Sequence, residues 1–265
     1  VAIPLHRSER WVHVVAANVA RIPYAHAQIL VSDRTCVDHG AARLSAQLSA
    51  DARVCVRAEP SGWDWIDHYN DLLTQATGEF FMWMPQDDDF PSEFLPRLIG
   101  VLQRRPDAWL AYGTTEDLDL NGCVRRRRSG PPPTGTGGAV PRAIGSIALA
   151  VRRNHGLAFR GVFRRQMVVD AGLLLDRDPR NPAADTRWVF AVHLRGGTLH
   201  DPSVTMQKRH YAESTHAQWP KVPSSYRYAR HAAMAWLHAP SRPTRWLLAL
   251  VFGTLSAQAW VAERV

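Results

Sequence analysis

The chain has 265 residues, long enough for one large α/β domain or two small ones with a core of normal size, and too long for a small disulfide-stapled scaffold. Apolar residues make up 46% of the chain and charged residues 21%, which excludes collagenous, coiled-coil and wholly disordered proteins. The formal net charge of +8 comes almost entirely from arginine and favours anionic partners such as nucleotides, anionic glycans, membrane head groups or nucleic acid.

Cysteine usage bears on the compartment. Only Cys36, Cys55 and Cys123 occur, and no CxxC pair is among them. This number and spacing indicate neither a disulfide framework nor a thiolate zinc site, so a reducing compartment is expected. No signal peptide is recognised. A cytoplasmic location is therefore predicted.

The first half of the chain alternates short apolar runs with longer segments of helical period, which predicts βαβ units and a mainly parallel sheet. Strands are expected at 1–5, 28–33, 53–58 and 79–84. Helices are expected from Ser8, as N-cap, to residue 19, and then over 38–50, 65–76 and 94–102.

Acidic residues follow two of these strands. The continuously apolar run at 79–84 leads directly into Asp87, Asp88 and Asp89, and Asp33 ends the second strand. Ligands of open α/β sheets bind outside the carboxyl ends of the strands. The sequence therefore predicts a binding site at this edge of the sheet.

Regular alternation stops after residues 109–120, which lead through Asn121 and Gly122, a hairpin turn signal. The arginine run at 125–128 and the Pro/Gly stretch at 131–138 are expected to form a loop, with order resuming at 157–163. Most such runs are solvated surface; the alternative is an acceptor loop that recognises a phosphate or anionic glycan. Helices are predicted over 165–174 and over 186–194, the latter capped by Asp185.

Six segments appear in one particular order: VAIPLH (1–6), VSDRTCVD (31–38), NDLLTQATGEFF (70–81), QDDDF (86–90), FRRQMVVDAGLL (163–174) with Asp185 after it, and RHYAEST (209–215). In this order the chain resembles a family 2 glycosyltransferase with the GT-A fold, from residue 1 to about residue 211. It departs from the family pattern at Gln86, the usual first acid of the metal motif, at Thr35, which replaces a Ser, and at Ala184, where the base motif has a Glu.

The resemblance implies a fold and an activity. The fold is a Rossmann-like, mainly parallel central sheet flanked by helices, with the GT-A domain over 1–212 and a C-terminal helical extension over 213–265. Within the domain, 1–120 would bind the nucleotide sugar and 121–212 would form the acceptor and catalytic half. The activity is metal-dependent, inverting transfer of a hexosyl-type unit from a nucleoside-diphosphate sugar.

The resemblance also implies a cation site. Magnesium or manganese would be held by Asp89, together with Asp87 and with His210, because these ions prefer oxygen ligands and commonly add substrate phosphates and water. Asp88 or Asp87 would bind the ribose. A solvated acidic turn and a packing histidine are the structural alternatives.

Further roles follow for the donor. Asp33 would accept a hydrogen bond from the base, most naturally from the N3–H of a uracil or thymine ring in a UDP- or dTDP-type donor; alternatively it caps the next turn. The loop containing Pro4, Leu5 and His6 would contact the base and ribose, and Arg209 would neutralise the diphosphate.

Asp185 would be the general base for the acceptor hydroxyl, or only the N-cap of the following helix, and both roles can hold together. Asp176 and Asp178 are the reserve candidates. The acceptor would be a glycan or a lipid-linked hydroxyl.

Residues 243–265 form an apolar segment that is shorter and more polar than a typical membrane span. Trp246, Leu250, Gly253 and Trp260 share one face near Arg242 and Arg245, which indicates an interfacial helix at the inner face of the cell membrane or a homodimer contact. The alternative is a helix docked on its own domain.

Two other functions compete with glycosyl transfer. A non-catalytic basic module for nucleic acid or anionic polymer would need its arginines on one face among exposed aromatics, whereas here they are scattered, so no nucleic-acid partner is expected. A nucleotidyltransferase would need a Gly-rich, Lys-bearing loop after the first strand, and residues 1–11 contain no glycine.

Overall fold

The computed structural model describes residues 1–130, 138–152, 155–177, 183–214 and 222–264. Its first sheet is parallel and has the strand order β1-β2-β3, formed by Ala2–Leu5, Ile29–Asp33 and Val54–Ala58. A 3₁₀ turn (Glu9–Trp11) and α1 (Val12–Ala20) connect the first two strands; α2 (Gly40–Gln47) connects the next two, and α3 (Trp65–Gln75) follows. The predicted βαβ pattern of the first half is confirmed.

A second, mixed sheet continues the first. Its strands are β4 (Phe80–Phe81), β5 (Leu110–Leu118), β6 (Val124–Arg128), β7 (Val162–Arg164) and β8 (Thr198–Arg209). The order is β4-β7-β5-β6 with antiparallel pairs, and β8 pairs with β5 in parallel. The two sheets meet at Ala2, whose backbone donates to Met82 and accepts from Met84 at 2.9 and 2.8 Å. The acidic cluster therefore begins directly beside β1.

Seven helices of the described chain surround the second sheet and complete the molecule. They are α4 (Phe94–Arg104), α5 (Ala139–Arg152), α6 (His155–Ala158), α7 (Arg165–Asp170), α8 (Ala184–Gly196), α9 (Ser224–His238) and α10 (Arg242–Ala262). Helix α8 lies in the core, with apolar side chains buried around most of its circumference. Helix α9 packs on α8 and α10, and α10 also contacts α5.

An aromatic cluster holds the sheets and α8 together. The fully buried Trp83 contacts Phe81, Phe159, Phe163 and Trp188 at ring-centroid distances of 5.0–5.3 Å. Large aromatic side chains remove much apolar surface from water, which makes this cluster a major source of stability. The cluster fixes the start of α8 relative to the chain that leads into the acidic cluster.

The predicted α/β architecture with C-terminal helices is confirmed, whereas the domain boundary at residue 212 stays a prediction. By length and composition alone, helix α10 is long and apolar enough to cross a membrane. Only 11% of its most apolar 18-residue stretch is buried in the protein.

Several local predictions are wrong. The arginine run at 125–128 is the strand β6, which pairs only with β5 and so keeps most of its charged side chains in solvent. Order resumes earlier than expected, because α5 buries Ala143, Leu149 and Ala150 and carries its Pro141 in the first turn, where proline is tolerated. Residues 131–137 lie outside the described chain.

One of the two capping predictions fails. Ser8 occupies the predicted N-cap position, at the start of the 3₁₀ turn, although its side chain makes no capping hydrogen bond. Asp185 lies in the first turn of α8 rather than before it, and Ala183 occupies the N-cap position. The predicted strand at 79–84 is buried throughout most of its length, yet only Phe80–Phe81 pair as a regular strand.

Candidate functional site

A cavity of about 1470 Å³ lies at the carboxyl ends of β1 and β2. Its wall combines the loop after β1, the residues after β2, the start of α3, the acidic cluster, the start of α8 and the end of β8. Among the predicted site residues it is lined by Pro4, Leu5, His6, Asp87, Asp185, Arg209 and His210. Asp33, Asp88 and Asp89 do not line it. The cavity is large enough for a nucleotide-sized ligand.

Asp87 and Asp185 face this one cavity although 98 residues separate them in sequence. Tyr69 lines the same cavity. Burial raises the pKa of Tyr69, Arg160 opposes the shift, and the charges of Asp87, Asp88 and Asp185 add to it. Asp87 of the acidic cluster and the predicted base therefore line one cavity.

Asp87 is the member of the acidic cluster that reaches the cavity. Its Oδ2 accepts a hydrogen bond from the Tyr211 hydroxyl at 2.8 Å. Burial, and then the charge of Asp88, raise the pKa of Asp87, while the Tyr211 bond lowers it. Tyr211 in turn packs on Trp11 and lies under the guanidinium of Arg10. A carboxylate in this environment favours a cation beside it.

Asp88 points into the protein. Its side chain is 1% exposed, and its Oδ2 accepts from Arg160 Nε at 2.6 Å. The backbone carbonyl of Asp88 accepts from Asn18 Nδ2 at 2.9 Å. A ribose contact from Asp88 does not fit this placement, because the carboxylate is buried against Arg160. Asp88 instead orients Arg160, which lines the cavity.

Asp89 does not line the cavity and is engaged by arginines. Its carboxylate forms ion pairs with Arg21 and with Arg209 (3.6 Å), and its backbone pairs with Gln207. The prediction that Asp89 holds the cation does not fit this placement, because two guanidinium groups already neutralise it. In the described ranges, no group of three or more His, Cys, Asp or Glu side chains is gathered for a metal ion.

The end of β8 supplies the basic wall. Arg209 donates to the Asp87 carbonyl at 3.0 Å, and His210 Nε2 lies 2.9 Å from Asp117 Oδ1, so His210 is directed toward Asp117 rather than toward Asp87. Lys208 also lines the cavity. Burial, and then the charge of Arg160, lower the pKa of Lys208 to about 8.

Asp33 caps the turn after β2. Its Oδ1 accepts from the Thr35 amide, the Thr35 hydroxyl and the Cys36 amide at 2.8–2.9 Å. Within the described chain its buried Oδ2 has no hydrogen-bond partner, and the same holds for Nε2 of His68. Burial, and then Arg34, lower the pKa of His68 to about 4, so His68 is neutral at physiological pH.

The loop after β1 is fastened to the acidic cluster. Gln86 Oε1 accepts from the His6 amide at 3.0 Å, and Gln86 Nε2 donates to the His6 carbonyl at 2.6 Å. The departure from the family pattern at Gln86 therefore has a structural role. It holds Pro4, Leu5 and His6 on the cavity wall.

Asp185 lies in the first turn of α8, and its Oδ1 accepts a hydrogen bond from the Thr186 amide at 2.7 Å. Ala184, which replaces the family Glu, is fully buried. The reserve candidate Asp176 is engaged by Arg187 at 2.8 Å, whereas Asp178 lies outside the described residues. Asp185 is therefore the described aspartate of this segment that faces the cavity.

Sequence reasoning missed several residues of the site, among them Arg160, Lys208 and Tyr211. Two of these three lie in or beside the RHYAEST segment, and that position is the only signal the sequence offered. Arg160 has no local signal, because its partner Asp88 is 72 residues away.

A cavity at the carboxyl ends of a parallel sheet, with one aspartate from the central acidic cluster and a second from α8, is the arrangement that the six sequence segments predict for a glycosyltransferase of the GT-A fold. The family model of Glycosyl transferase family 2 matches residues 1–148, more than half of the chain. The chain belongs to this family and is a glycosyltransferase, as the six segments indicated.

Solved structures show the same fold at low sequence identity. Residues 1–349 of S. aureus TarS in complex with UDP-GlcNAc match with a TM-score of 0.66 and 15% identity, over 95% of this chain and 70% of that one. Another crystal structure of S. aureus TarS matches with a TM-score of 0.62 and 13% identity, over 98% of this chain and 42% of that one. The mannosyltransferase PcManGT from Pyrobaculum calidifontis, in complex with GDP-Man and Mn²⁺, matches with a TM-score of 0.60 and 15% identity, over 99% of this chain and 74% of that one. No curated protein matches the chain.

Proposed function

We propose that this glycosyltransferase moves a sugar from a nucleoside-diphosphate donor to an acceptor hydroxyl with inversion, and that it uses a divalent cation. The observation that carries the proposal is the pair of aspartates, Asp87 and Asp185, on one cavity at the carboxyl edge of the sheet. A competing basic binding module is disfavoured, because Arg10, Arg34 and Arg43 on this wall are paired with acids instead of forming an open basic face.

The donor diphosphate would lie between Asp87 and the end of β8. Arg160, Lys208 and Arg209 supply positive charge there, and a guanidinium fork suits phosphate oxygens. The two solved neighbours described with UDP-GlcNAc and GDP-Man support a nucleoside-diphosphate donor.

Asp33 is fully buried and does not line the cavity, so a uracil or thymine base would reach its carboxylate only after a local shift of the residues beside it, among them His68 on the cavity wall. Asp33 Oδ1 already accepts three hydrogen bonds, so only Oδ2 is left for a base. One acceptor oxygen matches the single N3–H of uracil or thymine, whereas guanine presents two adjacent donors on its corresponding edge. The neutral His68 can complete the contact as donor or acceptor.

The residues present fit a magnesium or manganese ion if Asp87 is its protein ligand. These ions commonly combine one or two carboxylates with phosphate oxygens and water, so a three-residue cluster is not required. Burial beside Asp88 disfavours the charge of Asp87, and a cation relieves that cost. When bound, such an ion acts as a Lewis acid that stabilises the departing diphosphate. The Mn²⁺ in the mannosyltransferase neighbour supports this assignment.

Asp185 would act as the general base. As the acceptor oxygen forms its bond to the anomeric carbon, Asp185 takes the hydroxyl proton and the bond from that carbon to the diphosphate oxygen breaks. The nucleoside diphosphate leaves with the electron pair. This single displacement inverts the anomeric centre and needs no covalent glycosyl-enzyme.

The acceptor is a glycan or lipid-linked hydroxyl that enters beside α8. Val222 and Arg227, from the C-terminal extension, also line the cavity, so the extension helps to shape this side. We place the protein in the cytoplasm; all three cysteines are free, in keeping with a reducing compartment.

The test is release of nucleoside diphosphate from a panel of nucleotide sugars with Mn²⁺, Mg²⁺ or chelator. We expect turnover with a uridine or thymidine donor and loss of turnover in chelator. Asp185→Asn should lower kcat by about 10²–10⁴-fold with unchanged calorimetric affinity for the nucleoside diphosphate. Near-normal kcat in that variant would remove Asp185 from the mechanism.

The metal ligand is tested by a matched pair of variants. Asp87→Asn should raise the Mn²⁺ concentration needed for half-maximal rate far more than Asp89→Asn does. Asp201→Asn, which changes an aspartate outside the cavity, is the control. The reverse order for Asp87 and Asp89 would restore Asp89 as the ligand, and activity that persists in chelator would exclude the cation.

A further inference from the structure

Three neighbouring helices, α5, α9 and α10, share an unusual charge pattern. Across their 14, 15 and 21 residues they contain no aspartate and no glutamate. Each contains two arginines: Arg142 and Arg152, Arg227 and Arg230, and Arg242 and Arg245. Within these helices the only charged side chains at neutral pH are therefore positive, although Arg230 pairs with Asp176 of a neighbouring segment at 3.6 Å.

The same helices expose large apolar side chains. On α10, Leu250 is 70% and Trp246 64% exposed, and Leu247, Trp260 and Val261 are exposed as well. The end of α9 adds Trp236 and Leu237, and α5 adds Val140, Ile144 and Val151. We call the exposed apolar side chains of α9 and α10 the apolar face. Contiguous exposed apolar surface of this kind marks a binding surface.

Helix α10 shows the pattern most clearly. Its inner side buries Thr244, Leu248 and Phe252, as a docked helix should. Its outer side carries no charge between Arg245 and Glu263, whereas the outer side of a helix in water is normally charged or polar.

Tryptophan and arginine pair at both ends of the apolar face. Trp236 and Trp246 pack edge to face at 4.9 Å, with the Arg245 guanidinium 5.4 Å from the Trp236 ring. At the other end, the Arg264 guanidinium lies 3.7 Å from the Trp260 ring. Tryptophan and arginine are the side chains that concentrate at the interface between lipid and water.

We propose that the apolar face binds the surface of an anionic lipid bilayer, with α10 lying in the plane of the interface. The apolar side chains would enter the boundary between head groups and acyl chains, and Arg242, Arg245 and Arg264 would contact anionic head groups. This surface is separate from the donor chemistry, although Arg227 of α9 also lines the cavity and so connects the two.

The contacts of α10 argue against a membrane-spanning helix. The Ser256 hydroxyl donates to the Ser225 carbonyl at 2.7 Å, and the Glu263 carboxylate accepts from the backbone of Ser224 and from the Ser225 hydroxyl. These bonds fasten α10 to α9 at its carboxyl end. A spanning helix would have to break them and expose the stripe around Leu248 and Phe252.

The charge pattern argues against a symmetric dimer through the same face. In a two-fold dimer a surface meets a copy of itself, so arginines would oppose arginines with no acid from these helices to pair with them. An anionic bilayer supplies negative charge to Arg245 and Arg264 at the two ends of the apolar face.

The experiment is cosedimentation of the 265-residue chain with vesicles of phosphatidylcholine alone, or of phosphatidylcholine with phosphatidylglycerol. We expect the anionic vesicles to bind at least about tenfold more tightly, and the preference to shrink in high salt. The double variant Trp246→Ser/Leu250→Ser should weaken this binding at least about tenfold, because it removes two side chains that would enter the lipid. Both are exposed, so the variant keeps the core.

Leu120→Ser is the matched control, because Leu120 is 62% exposed on the turn after β5, away from these helices. It should leave vesicle binding unchanged. The proposal is overturned by failure to bind either vesicle, or by equal losses in the double variant and the control. If alkaline carbonate does not extract the protein from the vesicles, α10 spans the bilayer and the proposed surface binding is wrong. If light scattering shows a dimer of the unmodified chain and a monomer of the double variant, the apolar face binds a second copy of the chain and the proposed bilayer binding is wrong.

Discussion

The buried pair of Asp88 and Arg160 gives a sharp prediction for stability. The Asp88 side chain is 1% exposed and depends on Arg160 Nε at 2.6 Å, while its Oδ1 has no partner in the described chain. Replacing Arg160 by Met keeps the apolar stem but leaves a buried carboxylate without its counter-charge. Breaking a buried pair in this way costs about 3–5 kcal/mol.

The double variant Asp88→Asn/Arg160→Met tests the origin of this cost. With the carboxylate also neutralised, no uncompensated charge remains, so the double variant should lose at least about 2 kcal/mol less than Arg160→Met alone. At about 2–4 °C per kcal/mol for a chain of this size, Arg160→Met should lower Tm by about 6–20 °C.

Urea unfolding followed by tryptophan fluorescence measures the four free energies of this double-mutant cycle, and constant m-values show that the denatured state is unchanged. A loss below about 1 kcal/mol in Arg160→Met would refute the reasoning. So would strict additivity of the two substitutions, because it would mean that the carboxylate does not depend on the guanidinium.

Four further substitutions have defined outcomes. Burial lowers the pKa of His193 to about 4 from an ordinary value near 6.5. The unfolded chain therefore binds the extra proton between these values, so stability falls as pH drops from 6.5 to 4, by up to about 3 kcal/mol for this group. In His193→Gln the slope of unfolding free energy against pH should be shallower in that window, and an unchanged slope would count against the assignment. Gly196→Ala should cost about 1–3 kcal/mol, because its Cβ would overlap the Trp109 ring, whereas Gly253→Ala, with open space around it, should be neutral or stabilising in the same thermal melts. Ser241→Ala removes the capping box of α10 and should cost about 1 kcal/mol; an unchanged Tm would show that the cap is dispensable.

The first half of the fold could be predicted because its signals are local. Alternating apolar runs and amphipathic segments specify β1 to β3 and α1 to α4 within a few residues. The second half was harder, because its elements depend on neighbours. The four arginines of β6 lie in a strand because the backbone of β5 is available for antiparallel pairing. Asp117 and Asp119 also form ion pairs with Arg128 and Arg125.

The candidate site divides in a similar way. The order of motifs was enough to bring Asp87, Asp185 and Arg209 to one cavity. It was not enough to assign roles within the acidic cluster, because three adjacent aspartates look alike in sequence. Their directions depend on Arg160, Tyr211 and other partners from 68 to 124 residues away, which no local pattern encodes.

The amide of Gln86 has a consequence for how the donor pocket could move. It both donates to and accepts from the backbone of His6, which a carboxylate at this position could not do at neutral pH. The loop after β1 and the neighbouring acidic cluster are thus joined by two hydrogen bonds, so a displacement of one would move the other. Replacing Gln86 by an acidic residue would turn the contact with the His6 carbonyl into a repulsion between oxygen atoms. The loop after β1 would then be held less firmly to the acidic cluster.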